Sequence, residues 1–241
     1  MHDIRYDAVH DEITVTNPFA KAILTFRGGS SGEEPPIRII QGPSTQLGTI
    51  DRLEVDPVHN EIFIPARDSI LVYPREANGD VAPIRIIRGP DTQLHNVISI
   101  AVDPVHNVLA VGYTRDTQRE TGMGGLLIFN RTDNGNVKPR GLIQGPKTGL
   151  FLPEKLQIYA PRGWIVLPQT TSTFRQEPEN TFIGVWSIND TGDVPPRWKL
   201  GGPKSMIKRP RGVVLDPKYK EVSVADMRLN AVLTFYFPEI F

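Results

Sequence analysis

The chain has 241 residues, 39% of them hydrophobic, enough to bury a sizeable core and to exclude a disordered chain. Its 27 Lys and Arg balance 27 Asp and Glu, leaving no net field to draw it onto nucleic acid or an anionic membrane, and the absence of cysteine removes disulfide frameworks, thiolate metal sites and cysteine nucleophiles. No basic segment followed by an apolar run opens the chain and no stretch approaches the length of a bilayer span, so a soluble protein of unassigned compartment is expected.

Strand-like segments begin at once, with IRYDAVHDEITV over residues 4–15 read as an inner strand, a tight turn and a second strand. The pattern is clearest over residues 50–87, where IDRLEV, EIFIPA, SILVYP and APIRII are each about six residues long, alternate apolar with polar positions and are rich in Ile, Val and Tyr. DPVHNE joins the first two, with proline fixing φ and Asp and Asn favouring the turn ends. REANGD joins the last two through a glycine able to take positive φ. Four antiparallel strands in series result, with no helical stripe.

This unit recurs. PIRIIQGP at 36–43 returns as PIRIIRGP at 83–90, and DPVHN at 56–60 returns at 103–107. Gly-Pro pairs begin at Gly42, Gly89, Gly145 and Gly202, each with a second proline six residues earlier, at Pro36, Pro83, Pro139 and Pro196. A period of this length marks a supersecondary unit that must stack on its neighbours to bury its faces. The expected fold is therefore all-β: a β-propeller of about five four-stranded antiparallel blades, forming one domain over residues 1–241, with blades near 1–43, 44–90, 91–146, 147–203 and 204–241. The fifth blade ends with its third strand, AVLTFYFPEIF, leaving a three-stranded sheet whose bare edge invites pairing with a second chain or a homo-oligomer contact.

The segments TQLHNVISIAVDPVHN and SILVYPREANGDVAPIRIIRGP resemble the NHL-type repeats of bacterial β-propellers, most closely over residues 36–112. Blade four departs from the pattern, with IYAPRGW at 158–164 in place of DPVHN. The resemblance implies a propeller, commonly of six blades, and ligand or partner binding, whereas five units are counted here.

The repeated residues read as scaffold. His10, His59 and His106, with Asp7, Asp56 and Asp103, belong to hairpins spread over different blades, so they are expected to shape turns and not to converge on a metal. Arg38, Arg85, Arg140 and Arg197 fall on the outermost strands and are expected to be solvated edge charges that also cover the flank of the adjacent blade. Thr45, Thr92 and Thr148 are expected to cap the connections between blades, where Leu47, Leu94 and Leu150 pack.

Function is sought where the repeat is broken. The loop between second and third strands lengthens to YTRDTQRETGMGG at 113–125 in blade three and PQTTSTFRQEPENTF at 168–182 in blade four, against ARDS in blade two. These insertions carry Arg115, Asp116, Arg119, Glu120, Phe174, Arg175, Glu177 and Glu179, a mixed-charge set with one aromatic that suits recognition, and their tips are expected to meet over one sector. The nearby connections add Asp51, Arg52, His95, Asn96, Glu154, Lys155, Arg209 and Arg211. No Gly-rich phosphate loop, His-Glu-x-x-His motif or nucleophile elbow is present. The leading expectation is a non-enzymatic binding or scaffold propeller for a protein, peptide or small-molecule partner, with no catalytic or metal residue and no cofactor. The alternatives are a metal-dependent propeller hydrolase or lactonase with an axial site, and a partial propeller that self-associates through its open strand edge.

Overall fold

The computed structural model describes residues 3–114, 124–170 and 181–241. Five antiparallel sheets follow one another along the chain, each a simple meander. The first is β1 (Ile4–Asp7), β2 (Glu12–Asn17), β3 (Ala22–Arg27) and β4 (Arg38–Ile40); the second is β5 (Glu54–Asp56), β6 (Glu61–Ala66), β7 (Ser69–Pro74) and β8 (Arg85–Arg88). The third is β9 (Val97–Asp103), β10 (Val108–Thr114), β11 (Gly124–Asn130) and β12 (Gly141–Ile143). The fourth is β13 (Gln157–Tyr159), β14 (Trp164–Gln169), β15 (Phe182–Ser187) and β16 (Trp198–Gly201), and the fifth has three strands, β17 (Pro210–Asp216), β18 (Glu221–Asp226) and β19 (Ala231–Tyr236). Among the described residues, no helix is long and apolar enough to cross a membrane.

The chain divides into two compact units, Met1–Leu94 with Thr132–Val137, and His95–Arg131 with Lys138–Phe241. In the first unit, Ile23 and Ile40 of sheet one meet Ile62, Ile64, Leu71 and Tyr73 of sheet two. In the second, Ala110, Leu126 and Ile128 of sheet three meet Ile165, Leu167 and Trp186 of sheet four. The opposite face of sheet four, through Val166, Ile183 and Val185, packs on Val213, Val222 and Val224 of sheet five. In sheet four the alternation within β14 and β15 thus serves two interfaces at once.

Each repeated motif has a local cause. In the first hairpin of sheets one, two and three, Oδ1 of Asp7, Asp56 and Asp103 accepts the backbone N–H groups two and three residues on. Oδ2 of the same aspartate lies 2.7 Å from Nδ1 of His10, His59 or His106. Each histidine therefore pairs with the aspartate of its own hairpin. Threonine closes the connections: Thr45, Thr92 and Thr148 each donate Oγ1–H to the carbonyl of the repeat glycine at 2.6 Å and accept the N–H of Leu47, Leu94 or Leu150. Ser205 does the same for Gly202 and Ile207, so the fifth sheet keeps the device with a smaller hydroxyl residue.

The Gly-Pro pair marks a latch between consecutive sheets. Gly42, Gly89 and Gly145 have φ of 138°, 131° and 136°, where a side chain is strained. A Cβ on them would fall within 2.4 Å of Asp80, Asn136 or Asp193, each from the second hairpin of the following repeat. Those side chains accept the N–H of Ser44, Asp91 and Lys147 at 2.7–2.8 Å. Alongside, Ile40, Ile87 and Ile143 form parallel bridges with Gly79, Gly135 and Gly192, so the outer strand of one repeat continues onto the hairpin of the next.

The outer-strand arginines correct one expectation. Arg38 and Arg85 are not solvated edge charges: their side chains are only 17% and 18% exposed, and they turn inward across the sheet to Glu12 and Glu61. Glu12 also accepts from Arg75 of sheet two at 2.6 Å, so one carboxylate ties the outer strand of its own sheet to the next sheet. The cause is burial of the glutamate, which makes a paired cation cheaper than a solvated one. Arg140 is exposed, and Arg197 is half exposed and paired with Asp190, which holds its guanidinium above its ordinary pKa.

Candidate functional site

The insertion residues Arg115, Asp116, Arg119, Glu120, Phe174, Arg175, Glu177 and Glu179 lie outside the described residues, but the strand ends that carry both insertions are described. The first leaves β10 at Thr114 and returns at Gly124, which are paired across the hairpin. The second leaves after Gln169 and Thr170 and returns at Thr181, with Gln169 paired to Phe182. Thr114, Gln169, Thr170 and Thr181 are all buried, at 3% exposure or less, so both insertions stand on packed polar roots.

One short segment, Phe151–Pro153 of the connection into sheet four, is gripped from both roots. From the fourth sheet, Oε1 of Gln169 accepts the N–H of Phe151 at 2.9 Å and of Leu152 at 3.4 Å, while its Nε2 donates to the carbonyl of Thr170. From the third sheet, Ser99 donates Oγ–H to the carbonyl of Pro153. Gly112 and Gly124 let the backbone close in: a Cβ would lie 2.7 Å from the Pro153 carbonyl at Gly112 and 2.5 Å from the Phe151 carbonyl at Gly124. A shift of register between Gly112 and Tyr113 in the β9–β10 pairing marks the same place, and a bulge here re-aims the strand end.

Of the connection residues, His95 is exposed, and the carbonyl of Asn96 accepts the N–H of Thr114 at 3.4 Å, tying the entry to sheet three to the root of the first insertion. Glu154 is 6% exposed and forms an ion pair with Arg211 at the start of sheet five. Asp226 accepts the N–H groups of Lys208 and Arg209, and a second irregularity falls between Pro210 and Gly212. Arg211 also lines a shallow groove with Ala225, Asp226, Met227, Asn230 and Val232.

In the first unit the starts of the inner strands carry a separate cluster. Arg5 binds Glu54 at 3.0 Å and Asp3 at 3.1 Å, and Asp3 accepts the N–H of Leu53. Burial pulls the Arg5 guanidinium down, but the charges and hydrogen bonds of Glu54 and Asp3 outweigh it and hold the group above its ordinary range. Asp51 is exposed, and Arg52 reaches the Asp51 carbonyl at 3.2 Å. Among the described residues, no group of three or more His, Asp or Glu side chains is placed to hold a metal ion.

No family model matches the sequence, and neither does any curated protein. The structure is similar to Kuenenia stuttgartiensis hydrazine synthase, with a TM-score of 0.65 and 12% identity, over 92% of this chain and 54% of that one. The chain is a β-propeller. It spans about half the length of that solved structure, and at 12% identity the likeness concerns the fold alone.

Within the propeller, the sequence singles out the insertions and the flanking charges, but not the residues that seat them, Ser99, Gly112, Gly124 and Gln169. A signal is present for Gly112, which lies inside the strand VLAVGYT, since a glycine inside a strand marks a bulge or a close backbone approach. Ser99 and Gln169 give none, because their partners are 54 and 18 residues away.

Proposed function

We propose that this propeller is a non-enzymatic binding protein built from NHL-type repeats, which presents the insertions at 115–123 and 171–180, with His95 and Asn96 beside them, to a protein, peptide or small-molecule partner. The observation that carries the reading is the shared seat at Phe151–Pro153, which holds the roots of both insertions on one segment through Gln169, Ser99, Gly112 and Gly124. Variable loops on rigid, buried roots are how scaffolds build recognition surfaces, since rigidity lowers the ordering cost of binding. The charged and aromatic content of the insertions adds to this, with Arg115, Arg119, Phe174 and Arg175 among residue types favoured at interfaces. The repeats at 36–43, 83–90, 56–60 and 103–107 support the NHL-type assignment.

The test is a comparison of baits. The intact propeller and variants lacking 115–123 or 171–180 are used for affinity capture from extract and for thermal-shift screening of a small-molecule panel. The expected result is a partner retained by the intact chain and lost with either deletion, while the melting temperature falls by only a few degrees because surface loops contribute little to stability. Identical capture and ligand response after both deletions would remove the proposal, and metal-dependent turnover on a lactone panel would replace it with a propeller hydrolase.

A further inference from the structure

Among the described residues the fifth sheet has three strands, and the chemistry of a strand that fits its outer edge is written in the first two sheets. There, an arginine on the outer strand crosses the sheet to a glutamate at the start of the second strand: Arg38 to Glu12, and Arg85 to Glu61 at 2.7 and 2.8 Å. The register is the same in both, with Arg38 opposite Thr25 and Arg85 opposite Val72 on the third strand. In the fifth sheet the corresponding glutamate is Glu221, paired with Tyr236 as Glu12 is with Arg27, and the corresponding third-strand position is Thr234. Even the hydroxyl pair beside the glutamate is kept, Thr14 with Thr25 in sheet one and Ser223 with Thr234 in sheet five.

What differs is the cover. β19 pairs only with β18, so its outer backbone edge is open among the described residues. Leu71 and Tyr73, covered by β8, are 0% exposed, whereas their counterparts Leu233 and Phe235 are half-buried. On the other face, Val232 and Tyr236 are each 69% exposed. Among the described residues no arginine reaches Glu221 across its sheet, although the glutamates of sheets one and two each have one.

We propose that β19 is a docking edge for an extended partner segment bearing an arginine followed by two aliphatic residues, in the manner of Pro-Ile-Arg-Ile-Ile. The segment adds as a fourth antiparallel strand, its backbone satisfying the β19 edge. Its arginine sits opposite Thr234 and reaches Glu221, a charge-assisted bond that fixes the register. The next residue, opposite Leu233, covers Leu233 and Phe235, as Ile86 covers Leu71. This site is separate from the insertions of blades three and four and does not depend on them.

The probe is a fluorescein-labelled synthetic peptide of residues 82–90, APIRIIRGP, titrated with the 241-residue chain and read by fluorescence anisotropy. Saturable binding is expected, weakened about tenfold or more when the peptide carries Arg85→Glu. The Glu221→Lys variant, at a part-exposed position whose circular dichroism should be unchanged, is expected to reverse the preference and favour the glutamate peptide. Absence of saturable binding would overturn the proposal, as would equal affinity for the two peptides or unchanged preference in Glu221→Lys. Pairing of β19 with a second copy, seen as a dimer by light scattering that excludes the peptide, would also overturn it.

Discussion

Glu12→Gln is expected to destabilise the first unit by about 3 kcal/mol, read as a loss of unfolding free energy in urea, because it removes the carboxylate charge shared by Arg38 and the buried Arg75. Glu12 is 8% exposed and serves Arg38 and Arg75, of which Arg75 is only 5% exposed. The figure falls at the low end for a broken buried pair because Arg75 keeps Asn60 at 2.9 Å and Glu76 at 3.0 Å. Burial pushes the Glu12 carboxyl up, but the hydrogen bonds and charges of Arg38 and Arg75 outweigh it and leave the group below its usual 4.5. A carboxylate with a depressed folded pKa stabilises the native state above its unfolded pKa and loses that contribution as pH falls through the folded value. The advantage of the wild type over Glu12→Gln should therefore be constant from neutral pH down to about pH 5 and shrink below 4.5. A pH-independent difference would mean that packing, not charge, makes Glu12 matter.

The second large effect is expected at the latch. Gly145→Ala places a methyl group 2.3 Å from Cγ of Asp193 at a φ of 136°. Asp193 must move, and the 2.8 Å bond from the Lys147 N–H to its Oδ1 goes with it. Backbone strain and a lost hydrogen bond together amount to about 3 kcal/mol. Gly202 is the internal control: it occupies the same place in its repeat, its φ is 86°, and nothing lies within 4 Å of a built Cβ. Gly202→Ala should cost about 1 kcal/mol, the conformational part alone. Equal losses in the two variants, measured by denaturant unfolding, would show that the hairpin side chain plays no part in the latch.

The blades were legible because strand alternation and turn chemistry are local. DPVHN announces a hairpin through proline and an aspartate whose carboxylate closes the turn within three residues, and the structure places every atom of that device inside the hairpin. The drifted fourth repeat shows the limit of such reading: at IYAPRGW the turn is kept by a short 3-10 turn, Ala160–Arg162, and a left-handed Gly163, with no aspartate or histidine. Interactions between distant segments were hidden. Arg38 reads as an edge charge because the glutamate that receives it is 26 residues earlier and two strands away. The glycine of each Gly-Pro reads as a turn former, while the reason no side chain fits there is Asp80, Asn136 or Asp193 of the following repeat. At the site, composition pointed to the insertions, but the seat under them depends on Ser99 and Gln169, ordinary polar residues whose role exists only once the sheets are stacked.

The two insertions are proposed to act as one surface because their roots share a seat. The absence of native cysteine makes it directly measurable, since a pair of introduced thiols has no background. With Glu120→Cys and Glu177→Cys combined and a short bis-maleimide added, efficient intramolecular cross-linking, unaffected by dilution, is expected. Failure to cross-link, with both thiols shown to be reactive towards a monofunctional maleimide, would contradict it.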